Sequence, residues 1–123
     1  MIAKAPGKKR TILHVIDALN VGGAQELLVL LAEKTPKSAY RTLVCTIQPD
    51  LTIKNRIESQ GVPVSCFNRP RPSIARPFAF VGYFYKNIRD ISTLCRQQGV
   101  DVVHCHLSDA EFIGFLACLF YRA

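Results

Sequence analysis

Four short apolar runs, each followed by a stretch of helical periodicity, constrain this chain more than any other feature of its sequence. Residues 11–18, 41–47, 62–67 and 100–106 are rich in β-branched and apolar side chains and read as strands. After the first, Ala24, Leu27, Leu28, Leu31 and Ala32 recur at helical spacing, which predicts a helix over 24–34 ended by Pro36. Residues 51–60 read as a short helix closed by Gly61. A long helix over 78–98 carries Phe84, Ile88, Ile91 and Cys95 on one face and stops at Gly99. Ser108 or Asp109 is placed to cap a last helix. The order βαβαβαβα predicts an α/β fold, a three-layer Rossmann-like open parallel sheet with right-handed crossovers and helices on both faces. Val100-Asp101-Val102-Val103 suits a strand buried on both sides.

The chain has 123 residues, which suits one domain, and 49% of them are apolar, enough for a core without disulfide or metal staples. Cys45, Cys66, Cys95, Cys105 and Cys118 are odd in number, widely spaced and set in apolar runs. That usage fits a reducing, cytoplasmic compartment rather than a secreted disulfide framework. Residues 1–10 read as a basic disordered tail that lacks the apolar core of a signal peptide. The apolar stretch at 112–121 is well short of the roughly 20 residues that span a bilayer. The net charge of +7 favours anionic partners, although a solubilising surface accounts for it equally well.

Two motifs point to chemistry. Asn20-Val21-Gly22-Gly23-Ala24-Gln25 joins the first strand to the first helix. Glycines there let backbone approach a ligand, and the helix amino terminus favours an anion such as a diphosphate. The dinucleotide and Walker fingerprints are both missing, so a plain tight turn is an equal alternative. Asp101-Val102-Val103-His104-Cys105-His106 closes the fourth strand. Alternation puts His104 and His106 on one face and Cys105 on the other. His104 reads as a satisfied core residue. His106 stands nearest the carboxyl edge, where open α/β sheets bind ligands, and is suited to hold a sugar hydroxyl or phosphate or to exchange a proton near neutral pH. His14 reads as buried and hydrogen-bonded, and Asp17, at its strand's carboxyl end, as near a ligand. A zinc site from His104, His106 and a cysteine lacks convergent ligands, so no metal is expected. Basic and aromatic residues mix over 69–89, which can serve a membrane surface, a lipid-linked sugar acceptor or single-stranded nucleic acid. A solvated loop followed by an ordinary amphipathic helix is the simpler reading.

In their order and spacing these stretches resemble the amino-terminal domain of family 4-like retaining glycosyltransferases, which have the GT-B fold of two Rossmann-like domains. The matching residues are Ile12-Leu13-His14-Val15-Ile16, then Leu19 through Gly22-Gly23-Ala24-Gln25, then Val100 through His106. Gln25 stands where the family usually has Glu. The resemblance implies transfer of a sugar from a nucleotide-sugar to a hydroxyl acceptor, in cell-surface polysaccharide or glycolipid synthesis. It implies no cofactor beyond the nucleotide-sugar donor as substrate, an acceptor glycan or lipid-linked acceptor as partner, and no nucleic acid. It places Gly22, Gly23, Gln25, Asp17, His106 and Ser108 at the substrate-binding cleft, in the cytoplasm or at the inner face of the membrane. The family's carboxy-terminal, donor-binding domain has no counterpart here, and Glu26 and Glu33 do not reproduce its spaced glutamate pair. Residues 11–123 therefore read as a partial acceptor-side domain, inactive alone and completed by a second domain in cis or trans. The alternatives are a non-catalytic binding half and a small nucleotide-binding α/β module.

Overall fold

The computed structural model describes residues 8–121. Eight elements alternate along the chain: β1 (Arg10–Ile16), α1 (Gly23–Lys34), β2 (Tyr40–Thr46), α2 (Lys54–Glu58), β3 (Val64–Cys66), α3 (Pro77–Gln98), β4 (Val102–His106) and α4 (Ser108–Tyr121). The four strands form one parallel sheet in the order β3-β2-β1-β4. The chain steps outward from β1 to β3, then crosses back to lay β4 against the other side of β1. The sequence reading therefore holds for class, element order and parallel pairing.

Alternation along the strands sorts the apolar residues into two cores. Leu13, Val15, Cys45 and Ile47 pack under α3 and α4 with Ile91, Cys95, Ile113 and Ala117. Ile16 and Val44 pack under α1 and α2 with Leu28, Ala32, Ile53 and Ile57. Two cores on opposite faces of one sheet make the three layers.

Boundaries differ where local chemistry overrides periodicity. β1 begins at Arg10, inside the segment read as a tail, because Arg10 pairs with Tyr40. Residues 1–7 of that tail lie outside the described residues. β1 ends at Ile16 because the amide of Leu19 turns to the carbonyl of Asp50. α2 covers only half of the span read for it. Asp50 Oδ1 accepts from the Thr52 amide at 3.1 Å and its hydroxyl at 2.6 Å, holding the preceding residues in a turn. Gly99 (φ 61°) caps α3 in the left-handed conformation expected of it, whereas α2 ends earlier than expected, at Glu58 with Ser59 as its cap, and the left-handed Gly61 (φ 78°) follows after a further turn. Residues 67–76 are irregular but tied down: Arg69 donates to Asn87 Oδ1 at 2.9 Å and pairs with Asp90, and Arg71 Nε reaches Asp109 Oδ2 at 2.7 Å.

Candidate functional site

The strand order reverses between β1 and β4, and the crevice outside their carboxyl ends is where open α/β sheets place ligands. Five of the six residues read as substrate-binding come from the segments that leave these two ends, and His106 closes β4 itself. Gly22, half-buried, and Gly23, exposed, start α1, and no side chain caps that helix. Gly22 is extended (φ 176°), so its constraint is space: a Cβ there would come within 2.6 Å of Gln25 Oε1. A Cβ on Gly23 would meet nothing within 4 Å. Gln25 itself is buried, and its amide nitrogen donates to Ala18 O at 3.1 Å and Asn20 Oδ1 at 2.6 Å. Its donors are therefore spent on shaping the turn.

Asp17 is also committed. Oδ1 accepts from the Ala110 amide at 2.7 Å and Oδ2 lies 3.4 Å from the Asp109 amide. The carboxylate at the end of β1 thus caps α4, the role that the sequence suggested for Ser108 or Asp109. The reason is topological: β4 lies beside β1, so α4 starts directly over the end of β1. Burial raises the Asp17 carboxyl above its ordinary value, opposed by the Ala110 amide and reinforced by the charge of Asp109. Ser108 is exposed in the first turn of α4. Leu107 takes a left-handed φ of 75° to make that abrupt strand-to-helix entry.

The histidines depart most from the sequence reading. His104 is exposed and His106 buried, so His104 is not a core residue. β4 is an edge strand. α4 covers the face bearing Val103 and Cys105, while α1 lies over β1 and leaves Val102 and His104 open. The expectation of a strand buried on both sides fails for the same reason. His14 lies directly opposite His104 in the β1–β4 register, and its Nδ1 is 3.0 Å from His106 Nε2. Ring centroids stand 5.1 Å apart for His14 and His104, 5.2 Å for His14 and His106, and 4.2 Å for His104 and His106. Burial, then the neighbouring His106 and His104, push His14 down to about 3. Burial, then His104, push His106 down to about 4. Both shifts favour the neutral ring, so burial works against His106 as an imidazolium for phosphate. The zinc reading set aside on sequence considered only β4; the third imidazole comes from β1, and strand pairing alone reveals it.

These elements define a Rossmann-like α/β fold with a two-part edge: an uncapped helix end at Gly22–Gly23 and a histidine cluster on the α1 side of β1 and β4. Compared with known proteins, the chain matches no family model, no curated protein and no solved structure. Among the described residues no helix is long and apolar enough to cross a membrane.

Proposed function

We propose that this chain supplies the acceptor-side wall of a family 4-like retaining glycosyltransferase, with the nucleotide-sugar gripped by a second Rossmann-like domain in cis or trans. The observation that carries the reading is the contrast between two helix ends at the same sheet edge. The α4 end already holds the Asp17 carboxylate. The α1 end has no side-chain cap and begins at two glycines, so its dipole and amides remain suited to a diphosphate. On this reading His106 and Ser108 lie beside the acceptor, and the chemistry is electrostatic stabilisation of the leaving diphosphate, in which the α1 end takes part. The setting is polysaccharide or glycolipid synthesis at the cytoplasmic membrane face, as the resemblance implies.

Titration of the 15N-labelled chain with nucleoside diphosphates and their sugar conjugates tests this. The expected result is amide shifts at Gly23 and Ala24 with no sugar transfer by the chain alone. Shifts confined to other elements, or turnover typical of a complete transferase, would sink the reading.

One observation favours the alternative of a non-catalytic half that pairs with another domain. Phe80, Phe84, Phe112, Leu116 and Phe120 line an open apolar groove of about 710 Å³ between α3 and α4. Constant donor-independent affinity for a second domain, with no amide response to any diphosphate, would move that alternative ahead.

A further inference from the structure

We propose that His14, His104 and His106 together bind one divalent transition-metal ion of the zinc, nickel or cobalt kind, through one ring nitrogen each. This inference is independent of the glycosyltransferase reading. One nitrogen from each ring lies within 4.8 Å of the other two. Nitrogens around a tetrahedral zinc, with bonds of about 2.0–2.1 Å, stand about 3.3 Å apart. His14 Nδ1 and His106 Nε2 are already at 3.0 Å. His104 is exposed and can close the remaining distance by turning about its side-chain bonds. The scaffold is rigid where it needs to be. His14 and His104 are paired across adjacent hydrogen-bonded strands, and His106 follows on the same face.

A second observation points the same way. His14 is 2% exposed, yet its Nε2 has no hydrogen-bond partner. A neutral imidazole carries one proton and one lone pair, so its single link to His106 leaves half of the ring unsatisfied in the core. An ion bound by the ring lone pairs would replace the contact between His14 Nδ1 and His106 Nε2. An all-imidazole set suits zinc, copper, nickel and cobalt rather than magnesium or calcium, which take oxygen ligands. Access exists as well: His14 and His104 line a groove of about 610 Å³ beside Leu31 of α1 and Thr35 at its C-cap. Three protein ligands leave at least one coordination position for water or an incoming group from that groove.

The test is titration of the full chain, reduced, with Co2+ and then Zn2+. The rival ligands are the five cysteines, and they are distinguishable because thiolate ligation adds an intense charge-transfer band that imidazole ligation lacks. The expected result is one Co2+ per chain with only weak d–d bands, displaced by Zn2+. The thermal midpoint rises with Zn2+ as binding to the folded state requires. His104→Ala, at an exposed position, leaves the metal-free midpoint unchanged and weakens binding by at least about tenfold. His106→Gln removes a second ligand while keeping a side chain of similar size, and weakens binding again. A thiolate band, equal affinity in His104→Ala, or no binding at micromolar ion would each overturn the proposal.

Discussion

Gly114 has no room for a side chain: a Cβ there would lie 2.2 Å from Cys105 Sγ, where α4 crosses β4. Gly114→Ala should therefore lower stability by about 1–3 kcal/mol in urea denaturation, with much of the loss recovered in the Gly114→Ala, Cys105→Ala pair. Equal losses in the single and double variants would show that the contact is not the cause. Gln25 poses a charge problem instead. Its amide faces two acceptors, Ala18 O and Asn20 Oδ1, so Gln25→Glu brings a carboxylate against both and should cost about 1–3 kcal/mol. The local hydrogen bonding explains why Gln fits this turn. The histidines set a pH dependence. Unfolding returns His14 and His106 from about 3 and about 4 to their ordinary 6.5. Above about 6.5 both states are neutral and these groups contribute no slope. Below it the unfolded chain takes up protons that the fold refuses. Stability should then fall by up to about 1.4 kcal/mol per pH unit per histidine, levelling toward pH 4 and then 3 as each ring protonates in place. Metal-free denaturation midpoints that are flat from pH 7 to pH 5 would contradict the burial assigned to these rings.

At the scale of elements, α4 depends on the residue that follows β1. Asp17→Ala should cost about 0.5–2 kcal/mol and speed hydrogen exchange at Asp109 and Ala110, because it strips the cap from a helix start that Leu107 enters from a left-handed turn. Unchanged exchange at those amides would mean that Ser108 or water takes over. The strands and helices themselves were legible in the sequence because each carries its own periodicity, and Gly99 marks the stop of α3 through backbone freedom alone. What escaped reading was pairwise. The Asp17 cap, the Arg71–Asp109 bridge and the His14–His106 contact join residues far apart in the chain. Local pattern cannot report them until β4 is known to lie beside β1. The exposure of His104 belongs to the same class: its own strand looks buried, and only the edge position in the sheet uncovers it.

For the molecule as a whole, the open question is how it hides its apolar surface. Phe78, Phe112, Phe115, Leu119 and Phe120 are all exposed on α3 and α4, with Phe78 at 93%. A surface of this kind on a small chain drives association. Sedimentation should show concentration-dependent self-association that Phe115→Asp with Leu119→Lys reduces while the far-ultraviolet spectrum stays the same. A monodisperse monomer at high concentration would show that the surface is inert. Gly22, Gly23 and His106 lie at the carboxyl edge of the sheet, where the sequence reading placed them, while the side chains of Gln25 and Asp17 hydrogen-bond to the fold itself.

The sheet order also fixes a timetable for synthesis. β1, β2 and β3 leave the ribosome in sequence and can pair as they emerge, but the second flank of β1 waits for residues some 92 positions after His14. At about 5–20 residues per second that delay is on the order of 5–20 s, during which the centre of the finished sheet is its outer margin. The imidazole contact of His14 with His106 and the carboxylate contact of Asp17 with Ala110 both wait for that strand and the helix after it. The imidazole resonances of His14 should therefore report the docking of β4 against β1.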